Sequence, residues 1–183
     1  MIQTSDTYAI RDARPADAAP LAALKLICFR ETFGPTGFAI PYPPADLALF
    51  EARSYSEATV ATEIADPTHR TWVVEDGAGE LVAYAHVGPS KLVHPERAEG
   101  DGELYQLYLR RSVQGAGLGK RLLDLSLDHL AATGRAIWIG VWSGNVRAQH
   151  VYEGRGFKTV GGYQFAVGEW LDDEFIMLRR ATV

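Results

Sequence analysis

Apolar and polar positions alternate across "TYAIRDA" (7–13), which predicts a first strand, and the period then lengthens. Over "RPADAAPLAALKLICFRETF" (14–33) apolar residues fall at Leu21, Leu24 and Cys28, the spacing of a helix, with Asp17 a candidate cap. Glycine and proline make "GPTGFAIPYPP" (34–44) a loop, and helical periodicity resumes through "ADLALFEARSYSEATVATEIADP" (45–67). Two apolar runs, "TWVVED" (71–76) and "ELVAYAHVG" (80–88), flank "GAG" and predict a hairpin. A polar connection, 90–102, leads to a strand at "ELYQLYLR" (103–110). From Leu118 to Leu130 leucines cover most of a helical wheel, while Lys120, Arg121, Asp124 and Asp128 gather in an arc of roughly 100°. This predicts a helix buried on most sides. "RAIWIGVWSGN" (135–145) reads as a strand, with Trp138 and Trp142 as core or interface aromatics. A helix follows from Asn145 to about Gly154 and Gly156, and 158–180 reads as two strands and a turn. The predicted order is β-α-α-β-β-β-α-β-α-β-β, an α/β chain.

A length of 183 residues suits one domain, expected over 1–183. Apolar residues at 47 % and charged residues at 22 % give the composition of a soluble protein, and no run is long enough to span a membrane. The first twenty residues carry no export or organelle address, so a cytoplasmic protein is expected. The lone Cys28 fits a reducing compartment and reads as buried filler. A net charge of −5 with no basic stripe argues against a nucleic-acid partner. The acidic cluster "EWLDDE" (169–174) is either a solvated turn or a feature that attracts a cationic substrate. The five histidines show no ligand spacing, so no metal is expected.

The stretch "VQGAGLGKR" (113–121) runs from a strand into a helix, where free N–H groups and the helix dipole favour an anion. Two common phosphate loops fail on spacing. A nucleotide P-loop needs glycine at 114 and Ser or Thr at 121, where Gln114 and Arg121 stand; GxGxxG from Gly115 needs glycine at 120, where Lys120 stands. The spacing that fits is QxxGxG, at Gln114, Gly117 and Gly119. With "ELYQLYLRRSVQGAGLGKRLLDLSLDHL" before it and "WSGNVRAQHVYEGRGF" after it, the chain resembles the GNAT superfamily of acetyl-CoA-dependent N-acetyltransferases. Through "ETFG", "YPPADLALFEARSYS", "EIADP" and "GGYQFAVGEWLDDEFIM" it is most similar to bacterial polyamine acetyltransferases of the PaiA type. Where that pattern carries a histidine in the penultimate strand, this chain has Tyr163.

The resemblance implies a mixed, mostly antiparallel sheet of about seven strands, splayed between strands 4 and 5 and flanked by about four helices. It implies acetyl-CoA as co-substrate, with its pyrophosphate on the amides of Gln114, Gly115, Ala116, Gly117, Leu118, Gly119 and Lys120. The main chain of Leu107, Tyr108 and Leu109 would pair with the pantetheine arm, and Asn145 and Tyr152 would face it from one side of their helix. Arg110, Arg111 and Arg147 are candidates for phosphate contact or for simple solvation. Tyr152 would protonate the departing thiolate. Glu103, read as sharing a face with Leu107, would accept the amine's proton, and an N–H of Leu107 or Tyr108 would bond the oxyanion. Phe33, Tyr42, Tyr55, His86 and Tyr163 are candidate acceptor-site residues. The implied acceptor is a small primary amine, a polyamine first; a protein N-terminus, an amino acid or an aminoglycoside is the alternative, and a non-catalytic acyl-CoA sensor the reading from another class. A homodimer is common in the superfamily.

Overall fold

The structure, a computed structural model, describes residues 8–181. Seven strands form one sheet: β1 (Tyr8–Asp12), β2 (Arg70–Asp76), β3 (Leu81–Pro89), β4 (Gly102–Leu109), β5 (Ile137–Trp142), β6 (Lys158–Val167) and β7 (Trp170–Arg179). Their spatial order is β1-β2-β3-β4-β5-β7-β6, and every neighbouring pair is antiparallel except β4–β5. Thr7, the first residue of the expected opening strand, lies outside the described residues.

Five helices accompany the sheet: α1 (Ala18–Phe33), α2 (Pro44–Ser54), α3 (Glu57–Ala65), α4 (Leu118–Ala131) and α5 (Val146–Glu153). The segment 45–67, where the sequence shows continuous helical periodicity, is broken at Tyr55 and restarted by Ser56, whose Oγ accepts the Thr59 N–H at 3.1 Å. Asp17 does not cap α1 as expected. Its carboxylate accepts instead from the Arg14 N–H at 2.6 Å and from the Arg11 guanidinium at 2.7 and 2.9 Å.

Alternation along the strands feeds a separate core on each face of the sheet. On one face Leu118, Leu122, Leu123, Leu127 and Leu130 of α4 bury against Trp72, Val74, Ala83, Ala85, Val87, Leu104, Ile137 and Ile139. Lys120, Arg121 and Asp128 of α4 stay exposed, as the wheel required. On the other face Leu21, Leu24 and Cys28 of α1 and Val60 of α3 close over Val73 and Tyr84. Cys28 is buried there, and burial pushes its thiol up to about 12.

The feature that makes a site is a parting of strands. β4 and β5 pair only at Gly102–Ile137 and Glu103–Trp138, after which the sheet opens. A β-bulge on β4 begins at that point: His86 opposes Gln106 but Val87 opposes Leu104, so Tyr105 is an extra residue. An extra residue bends and twists its strand, which turns β4 away from β5.

Candidate active site

The parting opens into a cleft of about 1410 Å³ that runs from the start of α4 through the sheet to the helices on the opposite face. In one half, Gln114, Gly115, Gly117, Gly119 and Lys120 line it together with Asn145, Arg147 and Tyr152. Gly115 and Gly117 adopt φ of 87° and 78°, which a residue with a Cβ enters at a cost of about 1–2 kcal/mol. The first helical bond here runs from the Arg121 N–H to the Gly117 carbonyl at 3.2 Å, so the N–H groups just before it have no partner within the helix. The loop is thus a concave set of donors at the positive end of α4. Ala116 and Leu118 do not line the cleft, and the Leu118 side chain turns into the core.

Leu107, Tyr108 and Leu109 border the opening, but their main chains are not equivalent. The Arg110 N–H bonds the Val82 carbonyl, and antiparallel alternation then gives the Tyr108 main chain to β3 and leaves that of Leu107 and Leu109 facing the gap. Of the two N–H groups expected to bond an oxyanion, only that of Leu107 therefore points into the opening. Asn145 lines the cleft, yet its side-chain oxygen caps α5 by accepting the Ala148 N–H at 3.1 Å. Tyr152 packs on the α4-side core, and burial pushes its hydroxyl up to about 12. Arg110 is committed to Glu31 at 3.0 Å, and Arg111, which lines the cleft, donates from one guanidinium nitrogen to the carbonyls of Glu31 and Thr36. Arg147 is exposed at the cleft wall.

The other half is aromatic and acidic. Phe33, Tyr42, Tyr55, His86 and Tyr163 all line it, with Phe29, Phe38 and Phe50 beside them. Tyr42 donates to Asp172 at 2.5 Å, and Tyr163 donates to Glu174. Asp172 and Glu174 belong to the acidic cluster 169–174, for which a turn and an attractant were the two expectations. The turn is confined to Gly168 and Glu169, and both carboxylates reach the cleft from β7. Glu174 is raised above the ordinary carboxylate range, by burial first and then by the charges of Asp172 and Glu103. His86 is buried, 3.3 Å from Nδ1 of His69, and desolvation lowers it to about 2, with Lys25, His69 and Lys91 adding to the effect; it is a neutral wall residue.

Glu103 corrects one expectation. Leu104 and Leu107 both face the α4-side core, because the bulge lies between them, so Glu103 and Leu107 are on opposite faces. Glu103 still lines the cleft, in its aromatic and acidic half. Its Oε2 accepts from Lys91 N–H at 2.7 Å, Ser90 Oγ at 3.2 Å and Leu92 N–H at 3.3 Å. Burial raises its pKa and these donors oppose the rise. Trp138 is fully buried and donates from Nε1 to Asp101 at 2.8 Å, whereas Trp142 lines the cleft beside Phe38.

Among the described residues no group of three or more His, Cys, Asp or Glu side chains is placed to hold a metal ion, and no helix is long and apolar enough to cross a membrane.

A strand parting beside a glycine loop at a helix start defines an acyl-CoA N-acyltransferase fold, and the PaiA N-acetyltransferase of Thermoplasma acidophilum in complex with coenzyme A shares it. That structure superposes with a TM-score of 0.70 over 94 % of this chain and 98 % of its own, at 17 % identity. The model of the acetyltransferase (GNAT) family matches residues 34–157. The chain belongs to that family and is an acetyl-CoA-dependent N-acetyltransferase. Its relatives include an uncharacterized N-acetyltransferase from the pepI 3′ region of Lactobacillus delbrueckii subsp. lactis, 29 % identical over 84 % of this chain and 88 % of the relative. Another is the L-methionine sulfoximine/L-methionine sulfone acetyltransferase of Pseudomonas paraeruginosa, 28 % identical over 92 % of each chain.

Proposed function

We propose that the enzyme acetylates a primary amine of a small cationic molecule, a polyamine in the first instance. The observation that carries this reading is the charge of the acceptor half. Asp172 and Glu103 are each only 7 % exposed, and Glu174 stands with them. None of the three has an ion-pair partner among the described residues. Removing carboxylates from water without a counter-charge is costly, and a polycationic acceptor offsets that cost on binding. A second reading, an amino-acid acceptor, is supported by the Pseudomonas relative and by Arg53 and Lys91, which also reach the cleft and could meet a substrate carboxylate.

The chemistry follows from the groups in place. An alkylammonium, with a pKa of roughly 10, must shed a proton before its nitrogen can attack the thioester carbon. Among the described residues Oε1 of Glu103 accepts no hydrogen bond, whereas Oε2 accepts three, and the raised pKa suits this carboxylate to hold that proton. As the C–N bond forms, the carbonyl oxygen becomes anionic and meets the Leu107 N–H facing the gap. As the C–S bond breaks, Tyr152, still protonated at neutral pH, donates to the sulfur. Of the ammonium's three protons, one goes to Glu103, one ends on the sulfur by way of Tyr152, and one stays on the product amide.

The test is thiol release from acetyl-CoA with spermidine, n-butylamine, L-methionine sulfone, peptides and aminoglycosides as acceptors. Polyamine preference supports the reading. Preference for the sulfone moves the acceptor to an amino acid, and binding of acetyl-CoA without turnover on any acceptor leaves only a sensor.

A further inference from the structure

The geometry points to Gln106 as the residue that binds the acceptor's reacting nitrogen, its amide oxygen taking one N–H of the amine opposite the Tyr163–Glu174 pair. This rests on the acetyltransferase reading above but not on which amine is used.

Gln106 Oε1 is the one buried side-chain polar atom without a hydrogen-bond partner among the described residues. An oxygen withdrawn from water and left unbonded costs free energy, and a structure carries that cost where a ligand will relieve it. The residue lines the cleft, and its register partner is His86, so it shares the face of His86, Tyr84 and Tyr108 rather than that of the leucines. The bulge is the reason. Strict alternation from the core residue Leu104 would aim position 106 into the leucine core, and the extra residue at Tyr105 re-aims it into the acceptor half.

The opposite bank is also shaped for a nitrogen. A Cβ at Gly140 of β5 would lie 2.5 Å from Tyr163 Oη and 3.0 Å from Glu174 Oε2, so the missing side chain lets this pair rest over β5 at the edge of the parting. Gln106 on one bank and Tyr163 and Glu174 on the other line the same cleft. The two banks therefore offer an amide oxygen and a carboxylate to the same cleft.

Their chemistries divide the work. An amide oxygen accepts a hydrogen bond but takes no proton at neutral pH, so Gln106 holds the amine without competing with Glu103 for its charge. With one N–H on Gln106 and one toward Glu174, loss of the third proton leaves the lone pair as the only unbound direction on nitrogen. The N–H on Gln106 is the one that persists into the product.

Two variants test this, with spermidine, L-methionine sulfone and n-butylamine as probes. For whichever amine the wild type acetylates, Gln106→Met should lower kcat/KM for the amine roughly tenfold to a hundredfold, the effect of one lost hydrogen bond to a charged group, with acetyl-CoA affinity and Tm unchanged. Gln106→Glu keeps an acceptor oxygen but competes with Glu103 for the proton, so it should recover the KM for the amine without recovering kcat. Unchanged kcat/KM in Gln106→Met, or an equal loss of acetyl-CoA affinity, overturns the assignment. If the wild type turns over none of the three, the Gln106 side-chain amide signal in a proton–nitrogen NMR titration decides. A shift with any amine in the presence of coenzyme A supports the site, and no shift with all three refutes it. Preference for butylamine or the sulfone with the Gln106→Met loss intact would sink the polyamine reading alone.

Discussion

Tyr163 and Glu174 face each other across the β6–β7 ladder and are joined by a hydrogen bond from the tyrosine hydroxyl, and both rest over Gly140 of the neighbouring strand. One glycine on β5 thus sets where an acidic group on β7 enters the cleft.

Gly140→Ala would put a methyl 2.5 Å from Tyr163 Oη, closer than unbonded atoms approach, and 3.0 Å from Glu174 Oε2, so the pair must shift from its place over β5. The expected result is a fall of about tenfold in kcat/KM for the amine, with acetyl-CoA affinity retained. Stability should drop by about 1–3 kcal/mol, as for other overpacked sites. Steady-state kinetics beside urea denaturation separates the two effects; normal amine kinetics would show that the pair is not part of acceptor binding.

Tyr152→Phe should keep the fold and the acetyl-CoA affinity, because its ring packs on Phe157 and the α4-side core while only the hydroxyl is lost. Turnover should fall on the order of a hundredfold if the hydroxyl protonates the thiolate. Since burial pushes the hydroxyl up to about 12, the wild-type rate should show no alkaline loss from this group below pH 10. An unchanged kcat in the variant would remove Tyr152 from the proton path.

Part of this site was readable in the chain. The spacing of Gln114, Gly117 and Gly119 before a leucine-rich wheel located the loop and α4, because both signals are local. The break at Tyr55 had a local sign as well, a serine placed to cap α3, but helical periodicity on both sides masked it. The bulge at Tyr105 had none: an extra residue in a strand leaves no mark in composition, and without it Glu103 is misjudged as sharing a face with Leu107. Asp172 and Glu174 were visible as a charged run, and their position two apart on a strand would have placed them on one face. That the face is the cleft depends on pairing between distant strands.

Lys25 and Glu63 form an ion pair of unequal burial: the lysine side chain is 1 % exposed and the glutamate 26 %. Glu63→Gln strips the counter-charge from a buried ammonium already lowered in pKa by desolvation, and should cost about 3–5 kcal/mol. Lys25→Met leaves a carboxylate that still reaches water and should cost about 1–2 kcal/mol. The double variant should be more stable than Glu63→Gln alone. Chemical denaturation of the three proteins checks the order, and equal single losses would refute the asymmetry.

Asp17 supplies a pH dependence with a definite sign. The Arg11 guanidinium, opposed by desolvation and helped by the Arg14 N–H, holds the Asp17 carboxyl below its ordinary value. A folded-state pKa below the unfolded value of about 3.9 means that the unfolded chain binds the proton first as pH falls. The stabilisation is therefore complete at neutral pH and drains away below about pH 4, through the folded-state value. Asp17→Asn should cost about 2 kcal/mol at pH 7, since the carboxylate is mostly buried and serves three donors. The gap between wild type and variant, followed by urea denaturation from pH 7 to pH 3, should narrow toward the acid end. A gap that stays constant would mean that the hydrogen bonds, and not the charge, are what Asp17 contributes.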